Sequence, residues 1–250
     1  ERHYPPSQSL DDWIYYSQLN QRDALRFAIE HYRAVAPCRG TLIWQFNDCW
    51  PVQSWAVQDY ARILKPAGFE LARLHADVLL AVPFVVGDPD LVAYLVNDGS
   101  ATVSGDVRVD VYDPASGRCL HAQTWSAEAG PGERVEVARV PTEGMGGIAC
   151  FRFPGVAERW VPLVEPRDLA LVQPNLVARR EGDDLNIESD QFVVDLVVWD
   201  PDNAGAIRSL AIDEPGWHPL TGPAGEYRYR LGSQTKSIVA RSLAGQVKLA

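Results

Sequence analysis

GTLIWQFNDCWPVQSW, residues 40–55, decides how this chain is read. Residues 41–46 (TLIWQF) form a short apolar run without strong polar alternation. That pattern predicts a strand buried on both faces. An irregular loop follows through Pro51. Within twelve residues the chain places Trp44, Trp50 and Trp55 beside Gln45, Asn47 and Asp48. A core strand has no use for that mixture. A carbohydrate pocket does, because an aromatic face suits the C–H face of a pyranose while amides and carboxylates bind hydroxyls.

Upstream, residues 9–35 read as a helix. Ser9 with Asp12 resembles a capping box, and Leu25, Ala28, Ile29 and Tyr32 follow the i, i+3, i+4, i+7 spacing of a buried face. Pro37 and Gly40 are predicted to end it. Downstream, KPAGFELARLHADVLL (65–80) reads as a second helix with Pro66 near its first turn. Leu71, Leu74 and Val78 would mark its buried face.

From Val82 the apolar period changes from 3.6 to 2. VPFVV and LVAYLV read as strands, followed by the turn Asn97-Asp98-Gly99. In 103–111, Val103, Val107, Val109 and Val111 share one face, with Asp106, Arg108 and Asp110 on the other. CLHAQTW, RVEVARV and IACFRF continue the pattern between Gly/Pro turns. VEPRDLALVQPN looks like a passage to a second set, LNIES, FVVDLVVWD, EYRYRL and SIVARSL, interrupted by the turn-rich 200–225. Strands at roughly 8–15-residue spacing with Gly/Pro turns indicate antiparallel sandwiches. The chain thus divides into helix–strand–helix (1–80), one sandwich (81–166) and another (167–250). A lone strand between two helices cannot pair its edges, so 1–80 should be a piece of something larger.

The 250 residues carry a formal net charge of −10. Residues 1–80 hold 8 Lys/Arg against 9 Asp/Glu, and the remainder 15 against 24, so the acidity lies mainly in the strand-rich part. Such a surface repels phosphate backbones, which argues against nucleic acid as a partner. No run approaches the ~18 apolar residues of a membrane span, and no targeting segment is visible. A soluble protein of unassigned compartment is expected. The chain opens on Glu1 and its only methionine is Met145, so a processed or truncated N-terminus is expected. Cys38, Cys49, Cys119 and Cys150 show no C-x-x-C spacing and the five histidines are scattered, so neither a metal nor another cofactor is expected. Cys119 and Cys150 fall in predicted strands of one sandwich and could pair.

YYSQLNQ (15–21), ALRFAIEHYR (24–33) and GTLIWQFNDCWPVQSWAVQDYAR (40–62) together resemble the last part of the catalytic barrel of glycoside hydrolase family 2 β-mannosidases. The most specific words are WQFNDCWP, SQLNQ and EHYR. The strand sets match that family's C-terminal immunoglobulin-like modules by pattern and order. The resemblance implies the remnant of a (β/α)8 barrel followed by two immunoglobulin-like β-sandwiches. TLIWQF would be the eighth barrel strand, with 9–35 and 66–80 as the seventh and eighth helices. Trp44 would floor the subsite for the non-reducing mannose and precede a cis peptide bond to Gln45. Asn47 and Asp48 would be rim hydrogen-bonders, and Trp50, Pro51 and Trp55 would shape the wall. Asp59, Tyr60 and Arg62 read as structural.

Retaining glycosidases need two carboxylic acids about 5–5.5 Å apart. In the resembled family these are glutamates on earlier strands, with the nucleophile in a Ser-Glu-aromatic-Gly string. This chain has no such string. Glu1 lacks the context, Glu30 lies mid-helix, and Asp11 and Asp12 are first-turn charges. The expectation is the C-terminal portion of an exo-β-mannosidase, starting after the nucleophile, with no catalytic residue of its own and inactive alone. Its substrate would be a β-mannoside or related oligosaccharide, with glucosidic, galactosidic and glucuronidic sister groups as neighbours. The alternative is a non-catalytic carbohydrate-binding or scaffolding module using Trp125, Trp160, Trp199 and Trp217. A cut barrel would also expose apolar surface, so self-association is a third expectation.

Overall fold

The computed structural model describes residues 2–35, 38–155, 157–199, 207–209, 212–215, 220–231 and 238–249. Antiparallel sheets dominate it, and helices are few. The chain separates into two compact units, one comprising Glu1–Leu42, Glu70–Asp113 and Arg118–Leu169, the other Ile43–Phe69, Pro114–Gly117 and Ala170–Ala250.

The first unit opens with helix α1 (Leu10–Ala34). Ser9 caps it, its hydroxyl accepting from the Asp12 amide at 3.1 Å, and Asp12 returns the favour by accepting from the Gln8 amide at 2.8 Å. Such a cap satisfies donors that the first turn cannot pair internally. The buried stripe is Tyr15, Leu19, Arg22, Ile29, Glu30 and Ala34. Tyr32, expected on that stripe, is exposed. The stripe turned because two of its positions are charged residues with buried partners, which hydropathy spacing does not register. Pro37 lies outside the described residues.

Seven strands follow. β1 (Val78–Ala81), β2 (Asp90–Asn97) and β5 (Glu133–Pro141) form one sheet in the order β1-β2-β5. β3 (Val103–Tyr112), β4 (Cys119–Ala129), β6 (Ile148–Phe153) and β7 (Ala157–Pro162) form another in the order β4-β3-β6-β7. Every pairing is antiparallel. Val107, Val109 and Val111 point into one core with Leu91, Leu95, Val140 and Phe151, as their alternation required. Asn97 closes the expected Asn-Asp-Gly turn. Its buried amide donates to Ala101 O and Ala129 O, and its oxygen accepts from the Gly99 amide. Gly105 is needed in β3, since a Cβ there would stand 2.7 Å from the Phe153 ring.

Two expectations fail here for physical reasons, and one open question is answered. VPFVV (82–86) is no strand, because Pro83 has no N–H to give a ladder. The second helix, α2 (Pro66–Leu74), stops well short of residue 80, and Val78–Ala81 pairs with Tyr94–Asn97 instead. The segment expected to end a helix therefore begins a sheet. Finally, all four cysteines are free. Cys119 and Cys150 sit on strands flanking β3 on opposite sides. Two strand spacings of about 4.8 Å exceed the ~7 Å between Cα atoms that a disulfide can span.

The second unit has two further sheets. β8 (Leu176–Glu181), β9 (Asp184–Ser189), β11 (Ile207–Ser209), β12 (Ile212–Pro215) and β14 (Gly225–Leu231) run in the order β12-β11-β14-β9-β8. β10 (Val193–Trp199), β13 (Leu220–Gly222), β15 (Ile238–Ser242) and β16 (Gly245–Leu249) run in the order β13-β10-β15-β16. Leu185, Ile187, Leu196, Val198, Tyr229 and Ala240 share its core. The buried Tyr229 hydroxyl donates to Leu196 O at 3.1 Å, so a polar tip is accommodated inside. β11 to β13 fall within the stretch that reads as turn-rich, 200–225. No described helix is long and apolar enough to cross a membrane.

Candidate functional site

Residues 43–69 belong to the second unit. TLIWQF does not form a strand there. Among the described residues its neighbourhood offers one parallel bridge, Asn47 to Gln58, and one antiparallel bridge, Gln58 to Leu64. A barrel strand needs a parallel partner along each edge, and the described residues supply none at 41–46. The apolar side chains are correspondingly bare. Leu42 and Phe46 are exposed, as is Trp44 at 80%.

What replaces the strand is a folded loop. Phe46 O accepts from the amides of Val57 (3.1 Å) and Gln58 (2.9 Å), and the Asp48 amide donates to Gln58 O (3.2 Å). The Lys65 amide donates to Val57 O at 2.9 Å. The peptide bond between Trp44 and Gln45 is cis, as the resemblance implied. The return stretch turns at Asp59, whose carboxylate accepts from the Ile63 amide at 2.9 Å. Arg62 there has φ 66°, in the left-handed region. The structural reading of Asp59 and Arg62 fits this turn. Gly68 lies against Leu64 and Val57 O so closely that a Cβ would come within 2.7 Å of the Leu64 side chain.

The four residues singled out by sequence divide into two kinds. Trp44 and Trp50 are exposed, Trp50 at 61%, and Trp55 beside them is exposed too. Asn47 is also exposed, its amide donating to Asp48 O at 3.1 Å. Asp48 lies beneath the loop rather than at its rim, with 4% exposure. Its Oδ1 accepts from Ser54 Oγ (2.5 Å) and Gln45 Nε2 (3.4 Å), and Lys65 Nζ stands 3.6 Å from Oδ2. A buried carboxylate gathers such partners because an unpaired buried charge is costly. Lys65 was not singled out by sequence. Its only signal was a basic residue directly before a helix-opening proline, which says nothing of an inward ammonium.

Glu30 is fully buried, gripped by Arg159 Nε at 2.9 Å and Arg73 Nη2 at 2.6 Å. Burial pushes its carboxyl pKa up, but Arg159 and Arg73 outweigh that and hold it below the ordinary value. No group of three or more His, Cys, Asp or Glu able to hold a metal occurs among the described residues. Among the described residues, Trp125, Trp160 and Trp199 of the sandwiches are half-buried rather than open platforms. Trp125 packs on the first core. Trp160 lies under the Arg152 guanidinium at 5.4 Å and donates to Glu158. Trp217 lies outside the described residues.

By comparison with known proteins, the chain resembles glycoside hydrolases of family 2. Within that class the resemblance is to the C-terminal portion of β-mannosidases, in sequence and in fold. β-Mannosidase B of Aspergillus niger is 38% identical over 77 residues, which is 29% of this chain and 9% of that relative. The Aspergillus terreus β-mannosidase B is 36% identical over the same length. Among solved structures, the β-D-mannosidase from Dictyoglomus thermophilum superposes with a TM-score of 0.72 at 21% identity, over 93% of this chain and 29% of that one. The exo-chitosanase CsxA of Amycolatopsis orientalis does so with 0.63 at 14% identity, over 97% of this chain and 35% of that one. The match thus takes in under a tenth of the curated relatives' length and about a third of the solved structures'. No family model matches the chain.

Proposed function

We propose that this chain is the C-terminal portion of a retaining exo-β-mannosidase, an enzyme that removes terminal β-D-mannose from non-reducing ends. In this reading residues up to Asp77 are the end of a (β/α)8 barrel, and the remainder is two immunoglobulin-like sandwiches. The β1-β2-β5 and β4-β3-β6-β7 sheet orders support the immunoglobulin-like part. The pairing of Val78 into β1 supports drawing that boundary just before it rather than after residue 80.

Trp44 would stack on the apolar face of the terminal mannose, with Asn47 and Trp50 beside it and Asp48 contributing from below. The observation that carries this is the concentration of exposed tryptophans in 44–55. Single exposed apolar side chains are ordinary, but a cluster of them marks an interaction or ligand surface. The two carboxylic acids of the retaining mechanism would come from the parent enzyme outside these residues, leaving this chain inactive by itself. Among the described residues beyond Tyr60, no Trp, Tyr or Phe is exposed, which favours this reading over a sandwich-borne sugar-binding module.

The test has two arms. The purified 250-residue chain should give no turnover of an aryl β-mannoside, and clear turnover defeats the proposal. In the longer protein that carries this chain, Trp44→Ala should lower kcat/KM for that substrate by about a hundredfold, a loss of roughly 2.7 kcal/mol. A change under threefold there removes Trp44 from the site.

A further inference from the structure

The loop that presents Trp44 and Trp50 is built over a buried ion pair. Asp48 and Lys65 are both under 10% exposed. Lys65 stands immediately before α2, with Pro66 opening the helix. From there its ammonium reaches under the loop, donating to Ser54 O at 3.2 Å and approaching Asp48 Oδ2 at 3.6 Å. The other carboxylate oxygen accepts from Ser54 Oγ, and that same hydroxyl accepts from the Ala56 amide at 3.0 Å. Asp48 Oδ2 has no hydrogen-bond partner. The lysine ammonium is the cation that stands beside that oxygen. The backbone of Lys65 is pinned as well, through Val57 O. One cation thus ties together the two strands of the loop, at 48 and at 54, from the foot of a helix.

We infer that Lys65 and Asp48 are positioning residues, a buried ion pair that sets where the exposed Trp44 and Trp50 stand. Their function as a sugar wall rests on the reading above, whereas the positioning itself does not. The reason for an ion pair at this place is geometric. The loop is held by only a few backbone hydrogen bonds and two isolated bridges rather than a full ladder, and its tryptophans are turned outward. They supply little burial of their own, so a desolvated charge pair with a shared hydroxyl fixes the geometry in their stead.

Amide hydrogen exchange of the 250-residue chain, with near-ultraviolet circular dichroism, tests this. Lys65→Met keeps the aliphatic stem and removes the cation. The amides of Asp48, Val57 and Gln58 should then exchange about tenfold faster or more. The tryptophan bands should change, while amides of β3 and β6 keep their protection. The double variant D48N/K65M leaves no uncompensated charge and should recover most of the lost protection. Should Lys65→Met fail to fold, Ser54→Ala is the milder cut and must act in the same direction. Unchanged exchange at those three amides, or equal acceleration throughout the chain, overturns the inference. Titration of the unaltered chain with mannobiose, followed by tryptophan emission, addresses the sugar wall separately. Absence of any response there counts against the wall, and the exchange result still decides the positioning.

Discussion

Arg159, on the last strand of the first unit, grips Glu30 in the middle of α1 at 2.9 Å, across 129 positions of sequence. Arg73 closes on the same carboxylate, and through Glu70 the network runs on to Arg26 and Asp23. Burial pulls Arg159 down to about 10, so it stays charged at neutral pH. Helix α1 is thereby joined to the sheets of its unit by ions as well as by the apolar contact of Ala34 with Leu79, Ala81 and Val96.

Removing one partner of such a pair leaves the other buried and uncompensated. Glu30→Ala should destabilise the first unit by about 3–5 kcal/mol, read as a lower urea midpoint. The paired change E30L/R159M should cost much less, because no charge is then left inside.

The same network sets an acid limit. Burial raises the Glu70 carboxyl, but Arg26 and Arg73 dominate and hold it well below its ordinary value, and Glu30 behaves alike. A carboxylate depressed on folding stabilises fully above its unfolded pKa, near 4.5. That contribution is lost as pH falls through the folded values. Urea midpoints should therefore be flat above about pH 5 and fall steadily below it. A midpoint that rose on acidification would contradict this sign.

Asn97 is fully buried and makes three hydrogen bonds around its turn. Asn97→Ala strips partners from two carbonyls and one amide. A loss of roughly 2–3 kcal/mol is expected, measured by thermal or urea unfolding, with no effect on the tryptophan loop.

Cys150 is buried, and burial pushes its thiol far above the ordinary range. Cys49 and Cys119 are exposed. Brief treatment of the folded chain with iodoacetamide should label Cys49 and Cys119 and spare Cys150. Peptide mass spectrometry reads the difference, and early labelling of Cys150 would show the first core to be open.

Leu42 is completely exposed and Phe46 more than half so. The isolated chain should therefore self-associate with rising concentration, as seen by light scattering. Leu42→Asp should weaken that association without changing the urea midpoint, since no burial is lost.

The sequence by itself was sufficient for whatever depends on neighbours in the chain. Ser9 and Asp12 announced a helix start, and the alternation of Val107, Val109 and Val111 announced a strand with one buried face. Asn97-Asp98-Gly99 announced a turn. WQFNDCWP carried the family resemblance and the candidate wall, Trp44, Asn47 and Trp50. Tertiary structure decided the rest, because it turned on partners that local pattern does not contain. TLIWQF has a strand's composition but finds no parallel neighbour at 41–46 among the described residues, and it forms a loop. Val78–Ala81 continues a helical pattern but finds Tyr94–Asn97 beside it, so it became β1. Glu30 and Asp48 read as a helix charge and a rim group. Arg159 and Lys65, supplied from elsewhere in the chain, made it possible for both to be buried.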